Sequence, residues 1–109
     1  MEVHRKQRFP LDRAVTAARY WEEMPIGKIH GRCRVINERG LGAQFAEQLY
    51  VGEVMRLELP PARGVYASVR YARGSYYGLG FLYVSERQEK AIRQICETCA
   101  LEREAGRPK

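Results

Sequence analysis

The chain holds only three cysteines, Cys33, Cys96 and Cys99. That number is too small, and odd, for the disulfide framework of a small secreted domain. No stretch approaches the roughly 18–20 consecutive apolar residues of a membrane-spanning helix. The N-terminus, MEVHRKQRFP, is basic but has no apolar segment behind it, so no secretory signal is read and a cytoplasmic protein is expected. There are two histidines, His4 and His30, and neither stands in a recognisable nucleophile–base pattern. Glycine-rich phosphate loops of the Walker or dinucleotide type are missing. Paired carboxylates occur at Glu22-Glu23 and, one residue apart, in the C-terminal tail, where solvated surface is their ordinary fate. These absences leave an enzyme the least supported class.

What is present is a basic, single-domain chain. Its 109 residues suffice for one modest core, and 45% are hydrophobic. The net charge of +6 favours anionic partners: nucleotide, nucleic acid, a membrane surface or an acidic protein. Residues 1–13 read as a polar, basic N-terminal arm carrying Arg5, Lys6 and Arg8, with Pro10 against a simple helix. Residues 14–102 form the domain, and 103–109 a polar tail ended by Gly106 and Pro108.

Alternation marks the strands. "AVTAARYW" reads as a short strand, with one or two helical turns as the alternative, broken at Met24-Pro25-Ile26-Gly27. In "IHGRCRVI", Ile29, Gly31, Cys33 and Val35 share one face against His30, Arg32 and Arg34. "VMRLELP" sets Met55, Leu57 and Leu59 against Arg56 and Glu58. "VYASVRYA" sets Val65, Ala67, Val69 and Tyr71 against Tyr66, Ser68 and Arg70. "YYGLGFLYV" sets Tyr77, Leu79, Phe81 and Tyr83 against Gly78 and Gly80. Pro60 to Gly64 and Arg73-Gly74-Ser75 supply turn chemistry between strands.

At Ser85 the period changes. "SERQ" is a capping box, and Ile92, Ile95, Cys96 and Cys99 then recur at helical spacing, predicting a helix to about Leu101. The sum is a mostly β protein: a small antiparallel barrel of five or six strands, closed so that no edge is exposed, with one C-terminal helix laid on it.

A metal site is the first candidate chemistry. His30-x-x-Cys33 and Cys96-x-x-Cys99 together supply a zinc-type ligand set. The helical pair, however, lies inside the apolar stripe, and His30 points to the opposite strand face from Cys33. The cysteines are therefore assigned to the core, and no metal is expected.

The segment "VINERGLGAQF" poses a sharper question, because charge and hydrogen-bonding groups cluster at one bend. With the arginine arm and "RFPLDRAV" before it, and "VGEVMRLELP", "ASVRYA" and "YYGLGFLYV" after it, this order resembles the PilZ domain family over nearly the whole chain. The resemblance implies a six-stranded barrel followed by a helix and, as function, binding of the bacterial second messenger cyclic di-GMP. One family motif is Arg-x-x-x-Arg in the arm; Arg8 matches its second arginine, while the first falls on His4 with Arg5 beside it. The other, [Asp/Asn]-x-Ser-x-x-Gly, falls on Asn37 to Gly42 with Arg39 in place of the serine.

By this resemblance the ligand-binding residues are Arg5, Arg8, Asn37, Arg39 and Gly42, with His4 as a further candidate. Asn37 would present its amide to a base edge, and Gly42 would let the ligand approach the backbone. A domain with no output module attached implies an effector protein in trans, in the family usually of motility, adhesion or polysaccharide machinery. The competing reading is an interaction module that binds no nucleotide, using exposed Tyr66, Tyr76 and Trp21. Nucleic-acid binding through Arg32, Arg34, Arg70 and the arm is a third and weaker one.

Overall fold

The computed structural model describes residues 7–105. Six strands and one helix follow in order: β1 Phe9–Trp21, β2 Met24–Ile36, β3 Gly40–Phe45, β4 Val54–Leu59, β5 Ala62–Arg73, β6 Tyr76–Leu82 and α1 Glu86–Ala105. The sheet closes into an antiparallel barrel in the order β1-β2-β3-β6-β5-β4. Mostly β structure with a terminal helix is what the alternation and the capping box predict.

The inward residues are mostly those of the apolar faces, but in β2 the irregular pairing after Cys33 buries Ile36 and leaves Val35 half-buried, against the expected alternation. Val15, Cys33, Ile36, Met55, Leu57 and Val69 are fully buried. Ile92, Ile95, Cys96 and Cys99 form the buried stripe of α1. Ser85 and Gln88 cap that helix reciprocally: the Gln88 N–H donates to Ser85 Oγ at 3.1 Å, and the Ser85 N–H to Gln88 Oε1 at 3.0 Å. The Gln88 side chain also donates to the carbonyls of Arg63 and Gly64, pinning the helix start to β5. Ile92 lies with Ile36, Leu41, Leu59 and Ala62, so the helix covers the barrel end where β2 and β4 finish and β3 and β5 begin. Near the other end, Leu49 is buried, and the Tyr77 hydroxyl donates to the Glu47 carbonyl and accepts from the Leu49 N–H.

Several local expectations are corrected. The first strand starts at Phe9, inside the segment assigned to the arm, because Phe9 and Pro10 pair with Ile36 and Val35 and Phe9 packs on the core. The helix runs to Ala105, past the expected end, since no breaker precedes Gly106. Met24 to Gly27 does not break the chain; it is the start of β2, and the turn is at Glu22-Glu23, both with left-handed φ (47° and 69°). Finally, irregular pairing between Val69 and Tyr71 turns Tyr71 outward, and Tyr83 is 92% exposed just past the end of β6.

Candidate functional site

The turn from β2 to β3 is built by Asn37. Its Oδ1 accepts from the backbone N–H of Arg39 (2.8 Å) and of Gly40 (3.0 Å), while its own N–H donates to the Gly40 carbonyl (2.9 Å). An Asx-type turn of this kind satisfies backbone donors without any left-handed residue. It also commits the amide oxygen, so only the NH2 group of Asn37 is left to meet a ligand.

Beside this turn lies an open cleft of about 290 Å³. Arg8, Asn37, Arg39, Arg70 and Tyr71 line it, and the β6 backbone at Gly78 and Leu79 contributes to its wall. β5 and β6 explain the shape. A methyl at Gly78 would overlap the Tyr71 ring, and one at Gly80 would run into the Arg70 guanidinium. The missing side chains of β6 thus form a shelf across which the two β5 side chains lie. Arg70 Nε donates to Ser68 Oγ at 3.2 Å. Tyr71 and Tyr76 form a tilted aromatic pair with centroids 6.4 Å apart, and the Arg73 guanidinium carbon sits 5.9 Å from the Tyr71 ring centre.

Electrostatically the cleft is an unneutralised positive site. Among the described residues none of Arg8, Arg39 and Arg70 takes part in an ion pair. Burial pushes the Tyr76 phenol up, with Tyr71 adding to the shift and the charge of Arg8 opposing it. The neighbouring basic stripe on β2 differs. Asp12 bridges Arg32 (2.9 Å) and Arg34 (3.1 Å), and the hydrogen bond from Arg32 holds its carboxyl below the usual range. Arg34 also donates to Gln44 at 2.7 Å.

The structure therefore brings together three residues singled out in the sequence, Arg8, Asn37 and Arg39. Gly42 is not among the cleft residues. Its vacant face is filled by Tyr76, whose hydroxyl and ring a methyl there would overlap. The glycine admits an aromatic side chain, where the resemblance has it admitting a ligand. His4 and Arg5 lie outside the described residues. Arg70 and Tyr71 were missed as site residues; the signal for them was the Gly78/Gly80 alternation, which demands that something from a neighbouring strand cover those positions.

For the zinc-type set, His30 sits on the outside, 3.4 Å from the Thr16 hydroxyl, whereas Cys33, Cys96 and Cys99 are buried in the core. No metal-binding group of three or more such side chains is assembled among the described residues. No helix of the described chain is long and apolar enough to cross a membrane. Of the aromatics proposed for an interaction surface, Trp21 and Tyr66 are exposed and Tyr76 is only partly so.

Comparison with known proteins agrees with this fold. The PilZ domain family matches over residues 5–98. Among solved structures, the PilZ domain with c-di-GMP of YcgR from Escherichia coli superposes with a TM-score of 0.68 at 14% identity, over 93% of this chain and 94% of that one. The PilZ domain of CeSA from a cellulose-synthesizing bacterium gives 0.65 at 15% identity, over 88% and 98%. YcgR in complex with c-di-GMP from Escherichia coli gives 0.64 at 21%, over 94% of this chain and 47% of that one. Comparison with curated protein sequences finds no match. The chain belongs to the PilZ domain family, whose members are non-catalytic c-di-GMP receptor domains.

Proposed function

We propose that this PilZ domain is a cytoplasmic receptor for cyclic di-GMP, that the cleft beside the Asn37 turn holds the ligand, and that the occupied domain acts on an effector protein in trans. The observation that carries the reading is the convergence of Arg8, Arg39 and Arg70 on one cleft with no ion pair among the described residues to neutralise them. A dinucleotide with two phosphates is suited to such a site, because forked guanidinium groups bind phosphate oxygens and stack on flat rings.

In this reading Arg8 meets a phosphate and Tyr71 offers a base a flat face. The Asn37 NH2 donates to an acceptor on the guanine edge, its oxygen being committed to the turn. Arg39, standing where the family motif has serine, reaches phosphate or stacks. His4 and Arg5 precede Arg8 in the arm and would close over the ligand. Closure of the arm would create a new surface, and the ligand shifts the equilibrium only by binding that closed state better. Calorimetric titration with cyclic di-GMP, using GTP and cyclic GMP as controls, tests this. Saturable binding of cyclic di-GMP alone is expected; none at millimolar ligand would sink it.

One observation favours a second reading, an interaction module without nucleotide. Arg39 is larger than the serine it replaces and lines the cleft itself. Arg39→Ser decides between them: weaker binding makes Arg39 a ligand contact, whereas binding gained only in the variant makes it an obstruction.

A further inference from the structure

The β1–β2 hairpin runs past the barrel. β2 is paired to β1 along its length but to β3 only from Gly31 onward, and β1 is paired to β4 only as far as Arg19. On the projecting part Trp21 pairs with Met24, and Ile26 falls at an irregularity between the pairs Arg19↔Gly27 and Tyr20↔Pro25. The three side chains are 67%, 65% and 60% exposed. Large apolar groups gathered at one protruding tip mark a contact surface more than scattered ones do.

A groove of about 480 Å³ flanks this tip, lined by Tyr20, Glu22, Glu23, Val54 and Tyr66. The rings of Tyr20 and Tyr66 lie 6.5 Å apart, tilted by 43°. Neither Glu22 nor Glu23 is in an ion pair among the described residues. Of the basic side chains nearby, Arg19 is held by Glu53 at 2.6 Å, Arg56, the cross-strand partner of Tyr66, lies against Gly64, and Lys28, opposite Ala18, is not among the residues lining the groove. The result is two carboxylates and two aromatic faces around one groove with no cation in it, on a chain whose net charge is +6.

We infer that the hairpin tip docks on a partner protein by taking an arginine or lysine side chain of that partner into this groove, with apolar residues beside it covering Trp21, Met24 and Ile26. Charge complementarity selects this occupant. A cation between aromatic faces and carboxylates gains from both. An anionic lipid surface meets two like charges at the tip. A purely apolar peptide would strip water from the carboxylates and offer no partner in return. The tip stands at the far end of the β1–β2 ladder from Phe9 and Ile36, roughly 40 Å away at ~3.3 Å per residue, so occupation there leaves the arginine cleft open.

The test uses the full chain, followed by amide and side-chain NMR, and a defined probe, the peptide Leu-Arg-Trp-Arg-Leu, against the same peptide with citrulline for arginine. The arginine peptide is expected to shift Tyr20 to Met24, Val54 and Tyr66 at millimolar concentration, and the citrulline peptide to bind about tenfold more weakly. Glu22→Gln with Glu23→Gln, both exposed, should weaken the arginine peptide by a similar factor and leave cyclic di-GMP titration unchanged. Equal response to both peptides, shifts confined to other surfaces, or none at about 10 mM would overturn the inference. So would Trp21-dependent binding to phosphatidylglycerol vesicles, which would make the tip a membrane element. A dimer abolished by Trp21→Ser would instead make a second copy the occupant, and would overturn it equally.

Discussion

β2 is bounded by two turns that solve the same geometric problem in different ways. At its end, Asn37 holds the backbone with its side chain: Oδ1 takes the two N–H groups that the bend would otherwise leave exposed. At its start, Glu22 and Glu23 both take left-handed φ, and no side-chain hydrogen bond supports them among the described residues. The first turn spends its best polar group on structure and meets the cleft with an NH2 group and the neighbouring Arg39. The second leaves both carboxylates unspent, at the cost of a backbone conformation that residues with a Cβ disfavour. A turn held by a side chain has less left for a partner than a turn held by strain.

The comparison can be broken most severely on the cleft side. Gly42→Val should destabilise the barrel by about 3 kcal/mol in denaturant unfolding, because the new side chain must displace Tyr76 or the Val35 side chain behind it. A variant as stable as the parent would mean that Gly42 admits no aromatic ring. Arg8→Ala comes next. It should leave stability unchanged and weaken cyclic di-GMP by about tenfold or more, a charge-assisted contact being worth ~1.5–3 kcal/mol. Unchanged affinity would remove Arg8 from the site.

The paired test of the turns is smaller. Asn37→Ala should cost about 1 kcal/mol of stability, since water replaces part of what the two N–H groups lose. Glu22→Asn with Glu23→Gly should instead gain about 1 kcal/mol, those residues being suited to two left-handed positions. Opposite signs sharpen the contrast; a loss at both turns would erase it. An alkaline titration serves as a control common to all variants. Burial pushes the Cys33 thiol up to about 12 and Cys96 to about 11. Unfolded thiols ionise near pH 8.5, so between there and pH 11–12 the unfolded chain binds fewer protons and stability falls as pH rises. Parallel alkaline limbs are expected in the parent and the turn variants, and a flat limb would contradict the burial of these thiols.

The sequence was legible where one rule acted alone. Met55, Leu57 and Leu59 alternate without interruption and are buried as a set, and Ser85 and Gln88 cap α1 as their spacing requires. It was misleading where pairing overrode a local signal. Pro25 and Gly27 look like breakers, yet β1 holds them in a ladder, and the true turn carries neither glycine nor asparagine. Tyr71 falls in phase with Val65, Ala67 and Val69, but the irregular pairing after Val69 turns it out into the cleft. At the candidate site, Asn37, Arg39 and Arg8 were readable from motif order. Arg70 and Tyr71 were not, because their place depends on the bare backbone of a strand paired through the sheet. The role of Gly42 depends on Tyr76, which is brought near it only when β3 pairs with β6.

The pairing of Phe9 with Ile36 has one more consequence. Ile36 is the residue before Asn37, and Arg8 is the residue before Phe9, so the last guanidinium of the arm leaves the ladder next to the Asn37 turn. Its local concentration there is set by a leash of a single peptide unit. Tethered groups commonly experience effective concentrations in the millimolar range or above, with no affinity of their own required. The same segment supplied as a free peptide would have to be added at such concentrations to do as much. Strand register, ordinarily a matter of which side chains enter the core, would act here as a means of dosing one part of the proposed site with another.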